Sequence, residues 1–318
     1  MTKIRKIAVL AGGSSREAEV SRSSAAQVAN ALALTYSDVR VFELDNELAT
    51  NLLKWQADVV FPVLHGPPGE DGTIQGFLET LGIPYVGNGV RASAAAMDKG
   101  IAKSLFRSAG LPVCDDLVYS STCDVQESAQ EIKARLGARV VIKPLNQGSA
   151  IGVIPLMNGG DIATALAEVF DMRLDVIVEP FVMGREMTVG ILDVEGGECI
   201  ATPVIDILTP ENTWYDYQHR YSAGLSEHII PANVPGKTTR KLQQITIDAH
   251  RVLGCRDLSR ADFIVGDDNS ITLLEVNTLP GMTPTSLYPD GMRALGMEFN
   301  DLMEKLVESA ITRASRSA

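Results

Sequence analysis

Between Lys6 and Leu64 short apolar runs alternate with a stretch of helical period. Lys6 to Leu10, Val39 to Leu44 and Val59 to Leu64 read as strands, and Ser21 to about Leu34 reads as a helix entered through a Gly-Gly-Ser-Ser turn. Strands separated by crossover helices predict a small open α/β domain with a parallel sheet. From Thr73 to Leu81 the apolar residues are Ile74, Phe77, Leu78 and Leu81, an i, i+3, i+4, i+7 stripe that buries one helix face. Gly82 to Gly89 then closes this unit with a short strand and a turn.

A helix from Lys99 to Ala109 introduces a second segment, whose strand Arg139 to Lys143 meets Pro144 and a glycine-containing loop, Asn146 to Gly152. A third segment carries strands at Val176 to Val182, Met187 to Leu192 and Ala201 to Ile205, and a helix at Lys237 to Leu253. It ends in two strands flanking the turn-forming cluster Gly266 to Ser270, which predicts a hairpin. The whole reads as α/β with α+β character, in more than one domain. Residues from about 208 to 226 lack clear periodicity, and a long irregular loop in a compact protein is often a lid.

Composition narrows the partners more than the fold. The 318 residues are 45% hydrophobic, enough for a large core, and the formal net charge of −12 argues against a nucleic-acid or membrane-surface partner. No run of about 18 apolar residues and no signal-peptide pattern occurs, so a cytoplasmic protein is expected. Cys114, Cys123, Cys199 and Cys255 are scattered, and the four histidines have no metal-ligand spacing; reduced, mostly structural thiols are expected.

The chemistry-bearing positions cluster at the hairpin. Asp262 begins the apolar run Phe263 to Val265, and Glu275 and Asn277 alternate with Leu274 and Val276, so both leave one face of a strand. Such an all-oxygen set suits Mg2+; two polar residues facing solvent would show the same pattern. In the Asn146 to Gly152 loop, glycines permit positive φ and let backbone N–H groups turn toward a phosphate beside Lys143, or serve an ordinary turn after a solvated strand end. Glu179 and Glu186 flank the connector Pro180 to Gly184, which includes Phe181 and Val182. That connector either hydrogen-bonds a purine through its backbone, with an acidic side chain on the ribose, or is a plain strand and turn. The loop His65 to Gly72 either lines a ligand crevice at strand ends or caps the next helix through Asp71 or Thr73.

In this order the pieces resemble the D-alanine:D-alanine ligases of the ATP-grasp superfamily, over about Lys6 to Ala310. The carriers are Ala11-Gly-Gly with Glu17-Ala-Glu19-Val-Ser21, His65 to Gly72, Ala96-Met-Asp-Lys99, Ile142-Lys-Pro144 with Gly148-Ser149, Tyr215 to Tyr221, Arg260-Ala-Asp262, and Glu275 through Gly281. The resemblance implies an ATP-grasp fold with an N-terminal substrate domain (1–95), a central subdomain (96–180) and a C-terminal subdomain with metal site and lid (181–318). It implies ATP-dependent joining of two D-alanines through an acyl phosphate, for peptidoglycan precursors, by a homodimer formed through the first domain.

By motif match, Asp262, Glu275 and Asn277 are the expected ligands of two Mg2+ ions, with Mn2+ an alternative. Lys99, Lys143, Ser149 and Arg220 are expected toward ATP phosphates, and Glu179, Phe181, Val182 and Glu186 toward adenine and ribose. Glu19 is the expected ligand of the first ammonium, linked to Ser149 and Tyr221, with His65 also on the substrate side. Arg260 and the N–H of Gly281 are expected to hold the oxyanion, and Ser286 with Leu287 the second carboxylate. Three positions depart from the family pattern: Arg220 for lysine, Ala150 for serine and Pro180 for lysine. A related ligase using another amino acid or a hydroxy acid stays open, with Tyr221 counting against D-lactate. A non-catalytic nucleotide-binding protein also stays open, with the intact buried charges counting against it.

Overall fold

In the computed structural model, which describes residues 3–15, 17–210, 224–283 and 286–317, the chain forms three sheets. The first has the order β2-β1-β3, built from β1 (Lys3–Ala11), β2 (Tyr36–Glu43) and β3 (Val59–Pro62), all parallel. Its continuous apolar runs follow from cover on both faces. Ile7, Val9 and Ala11 of β1 pack with Val28 and Leu32 of α1 (Ala18–Leu32). Ala8 and Leu10 pack with α2 (Leu48–Trp55) and α3 (Thr73–Leu81), where Ile74 and Leu78 of the predicted stripe are buried.

The second sheet, order β4-β7-β5-β6, is antiparallel and comprises β4 (Leu117–Tyr119), β5 (Val140–Pro144), β6 (Ile154–Pro155) and β7 (Val176–Pro180). Helices α6 (Val125–Leu136) and α7 (Ile162–Asp171) pack against it. Asp124 and Asp161 cap them, each carboxylate accepting two backbone N–H groups of the first turn.

The third sheet follows the path β11-β10-β8-β12-β13, with β9 paired to β8. Its strands are β8 (Arg185–Asp193), β9 (Ile200–Ala201), β10 (Ile205–Leu208), β11 (Glu227–Ile229), β12 (Asp257–Val265) and β13 (Ile271–Asn277). The strand expected over Ala201 to Ile205 is split in two around Pro203, which has no N–H to give a ladder. One face is covered by α4 (Val90–Met97), α5 (Lys99–Ser108) and α8 (Gly236–Leu253), against which Ala261, Phe263 and Val265 pack. Arg260, Asp262 and Ile264 therefore share the opposite face.

Two segments join units distant in sequence. Residues 90–108, around the expected start of the second segment, belong to the core of the third sheet. After α9 (Leu287–Ala294), α10 (Phe299–Ser317) returns to the first sheet, where Leu302, Met303, Leu306 and Val307 are fully buried beside Ile7 and Val9. Buried Asp257 fastens this return, accepting from Arg313 Nη1 at 2.8 Å, Arg313 Nη2 at 2.9 Å, Ser309 Oγ at 2.7 Å and the Gly87 N–H at 2.8 Å. Among the described residues no helix is long and apolar enough to cross a membrane.

Candidate active site

The polar face of β12 and β13 forms the floor of two adjoining cavities. Register places Asp262 opposite Glu275 and Arg260 opposite Asn277, and a bulge after Asp262 leaves Leu274 without a ladder partner. A bulge re-aims side chains beside a site, and Leu274 lines the smaller cavity, of about 370 Å3. Ile264, Lys143, Glu179, Phe181, Val182 and Glu186 line it as well, which brings the expected adenine and ribose residues together. The larger cavity, about 940 Å3, gathers Glu17, His65, Lys99, Ser149, Arg260, Glu275, Asn277, Gly281, Ser286 and Leu287.

Glu19 does not occupy its expected place. Its side chain is 86% exposed at the rim and pairs with Arg22, whereas Glu17 is 2% exposed and accepts the hydrogen bond of Ser149 Oγ. The reason is helical geometry: Glu17 is the N-cap of α1, and two residues further the chain has turned by roughly 200°. Glu17 continues the buried stripe of Ser21, Ser24 and Val28, while Glu19 falls with Arg22 on the outer side. The loop around His65 combines both readings open to it. Ser15 Oγ donates to the His65 carbonyl at 2.7 Å, the imidazole lines the cavity, and Asp71 accepts the Thr73 N–H at 2.9 Å.

A second acid, the half-buried Glu70, went unnoticed in the sequence because it lies between Pro and Gly residues without periodic context. Its Oε2 accepts the Gly66 N–H at 2.7 Å. A Cβ added at Gly148 would lie 3.7 Å from this Oε2 and 3.9 Å from that of Glu17, so the phosphate-type loop sits over two converging carboxylates. Burial, assisted by the charge of Glu17, pushes Glu70 up to about 8, and burial lowers His65 despite Glu17. In that loop the left-handed residues are Ser149 (φ 50), Ala150 (φ 58) and Gly152 (φ 71); Gly148 is not among them. Two non-glycine residues in this region cost about 1–3 kcal/mol each, a strain typical of ligand clamps.

The smaller cavity ends in a buried ion triad. Lys143 Nζ is 2.6 Å from Glu179 Oε2, and Lys103 Nζ, which sequence reasoning missed, is 2.5 Å from Glu179 Oε1. Lys103 lies four residues after Lys99 on the buried side of α5, a spacing that could have found it. Burial pushes Glu179 up, but the two lysines outweigh it and hold the carboxyl at about 2. Lys143 is raised, since Glu179 outweighs its burial, and Lys99 is lowered by burial despite Glu275 at 3.9 Å. Cys114, expected to be structural, lines this cavity too.

Asp262 is held by three side chains. Arg260 grips it in a fork, Nε to Oδ1 and Nη2 to Oδ2 both at 2.8 Å, while Thr188 Oγ1 donates to Oδ1 at 2.6 Å and Asn277 Nδ2 to Oδ2 at 3.0 Å. Two facing carboxylates and an amide fit a hard divalent cation, and turning the Asn277 amide over would exchange its donor for an oxygen ligand. Gly281 adjoins Ser286: a Cβ added there would meet Ser286 Oγ at 3.1 Å. Ser286 Oγ itself accepts the Thr283 N–H at 3.1 Å, and Leu287 opens α9. Arg220 and Tyr221 lie outside the described residues.

Three sheets around a carboxylate-floored double cavity make the architecture that of an ATP-grasp ligase. A family model described as the D-ala D-ala ligase C-terminus matches residues 105–308, and one described as the D-ala D-ala ligase N-terminus matches residues 41–88. The chain belongs to the D-alanine–D-alanine ligase family. A D-alanine–D-alanine ligase of Geotalea uraniireducens is 41% identical, covering 99% of this chain and 98% of the relative. One of Halalkalibacterium halodurans is 40% identical, covering 97% and 100%. Among solved structures, the Bacillus anthracis ligase complexed with ATP superposes with a TM-score of 0.84 at 26% identity over 99% of this chain and 100% of that one. The VanG D-Ala:D-Ser ligase of Enterococcus faecalis gives 0.82 at 28% over 97% and 100%.

Proposed function

We propose that the protein joins two D-alanines to D-alanyl-D-alanine at the cost of one ATP, with the following division of labour. Adenine takes the smaller cavity, against Ile264, Leu274 and the connector at Phe181 and Val182, and the triphosphate runs toward Lys143, Lys99 and the Ser149 loop. Arg260 and Ile264 are four residues apart on one strand face, about 13 Å at ~3.3 Å per residue, so one strand serves both ends of the nucleotide. Glu17, held by Ser149, takes the ammonium of the first D-alanine and so turns its carboxylate toward the γ-phosphate.

A carboxylate is a poor electrophile and its phosphoryl ester is not. The carboxylate oxygen attacks the γ-phosphorus, ADP leaves, and the amine of the second D-alanine adds to the acyl carbon. Arg260 and the Gly281 N–H stabilise the oxyanion, and expulsion of phosphate completes the amide. Ser286 and the Leu287 N–H hold the second carboxylate at the start of α9. A divalent cation held by Asp262, Glu275 and Asn277 would neutralise phosphate charge.

The observation that carries this reading is the burial of Glu17 against Ser149 in the cavity that also holds Arg260 and Gly281. ATP, Mg2+ and D-alanine with the purified protein should release phosphate and form a dipeptide of the mass of two alanines less water; absence of both refutes it. A cytoplasmic site of action fits an ATP-using ligase. The domain limits 1–95, 96–180 and 181–318 each enclose one sheet, with residues 90–108 packing on the third sheet and α10 crossing back to the first. A homodimer through that unit, where Leu34 and Val41 are exposed, is open to sedimentation analysis.

A further inference from the structure

We propose that His228 accepts the proton that the second amino acid must lose before its nitrogen can attack, an inference that rests on the ligase reading above. His228 stands on β11, with Nδ1 3.2 Å from Asp290 Oδ2. Asp290 lies one helical turn after Ser286, and its N–H donates to the Ser286 carbonyl at 2.9 Å. Arg293 Nη1 holds the other oxygen of Asp290 at 2.7 Å. His228 and Asp290 line the larger cavity together with Gly281, Ser286 and Leu287.

The charge of Asp290 follows from its surroundings. Burial pushes the Asp290 carboxyl up, but the hydrogen bonds from His228 and Arg293 outweigh it and hold it ionised below its ordinary range. An ionised carboxylate only accepts, so the hydrogen of this bond sits on Nδ1, and the tautomer that leaves Nε2 unprotonated presents a lone pair there. That Nε2 is buried and has no hydrogen-bond partner among the described residues. A buried acceptor without a donor calls for a ligand that brings one.

D-Alanine brings a methyl group, a carboxylate and an ammonium, and only the last is a donor. With the carboxylate at Ser286 and Leu287, the dyad one turn along α9 is placed for the ammonium. One N–H bond breaks and its proton passes to His228 Nε2, leaving the nitrogen lone pair to bond the acyl carbon. The carbon–oxygen bond to phosphate then breaks, its electron pair leaves with the phosphate, and the surplus N–H proton departs with that group. His65 and Glu70 stand beside Glu17 on the first substrate's side, whereas this dyad stands at the start of α9, beside the Ser286 and Leu287 that take the second carboxylate.

Hydroxylamine is uncharged at neutral pH and attacks acyl phosphates without giving up a proton first, so it separates the two half-reactions. His228→Gln in the full chain should lose dipeptide formation by about 100-fold or more, while hydroxamate formation from D-alanine, ATP and hydroxylamine stays at the wild-type rate. Asp290→Asn, which frees the ring to exchange tautomers, should shift the two rates in the same sense and serves if the first variant does not fold. Equal loss of both products, or dipeptide formation at the wild-type rate, overturns the proposal. A wild-type protein that makes no dipeptide overturns the ligase reading itself.

Discussion

Replacing Glu17 by Gln removes one negative charge and keeps the shape, so Ser149 Oγ retains an oxygen to which it can donate. What is lost is the charged partner of the first ammonium, in a setting where Glu17 is 2% exposed and water cannot substitute. Hydrogen bonds involving a charged group contribute about 1.5–3 kcal/mol, which at ~1.4 kcal/mol per decade is roughly a 10- to 150-fold loss in kcat/KM for the first D-alanine. Glu19→Gln is the control: its carboxylate is 86% exposed, and its pairing with Arg22 at the surface contributes little. Initial rates of ADP release against D-alanine concentration, with thermal melts to confirm folding, read both variants. A larger loss for Glu19→Gln than for Glu17→Gln would refute the placement of the ammonium and the helical argument behind it.

Three more expectations follow from the same geometry. Glu70 is raised from 4.5 to about 8, so its contribution to stability is fully present below pH 4.5 and disappears as pH rises through about 8; Glu70→Gln should flatten urea-unfolding stability across that window, and parallel curves for the two proteins would count against it. Lys103→Met leaves Glu179 with one cation, and breaking a buried pair costs about 3–5 kcal/mol; urea unfolding should show that loss and the KM for ATP should rise, whereas unchanged values would remove Lys103 from the site. Glu275→Gln takes a charged oxygen from the cation set, and the Mg2+ concentration for half-maximal rate should rise about tenfold or more, with an unchanged titration refuting the ligand assignment.

Much of the frame was legible because local patterns agree with the tertiary structure. The stripe at Ile74 and Leu78, the parallel rhythm of β1 to β3 and the turn between β12 and β13 each carry their own period or punctuation. The hairpin also showed that Glu275 and Asn277 share a face, since alternation is fixed along a strand. What alternation could not show was partnership: the fork of Arg260 on Asp262 needs side-chain positions. The choice of Glu19 over Glu17 failed at a helix boundary, where a shift of two residues reverses the face. Extending the Ser21, Ser24, Val28 stripe backward by one turn selects Glu17. Glu70, Lys103 and the His228–Asp290 pair were out of reach for another reason. Each gains its meaning from a residue 53 to 76 positions away: Glu70 from Glu17, His228 from Asp290 and Lys103 from Glu179.

The return of Phe299–Ser317 to the first sheet also fixes a sequence of events during synthesis. A nascent chain that has reached residue 298 has already made Ile7, Val9, Val59 and Phe61, but not the Leu302, Met303, Leu306 and Val307 that complete their cover. The second sheet, closed entirely by residues 117–180, has no such dependence. The unit made first on the ribosome is thus among the last to become native, and until then its apolar surface is open to chaperones and to other unfinished chains.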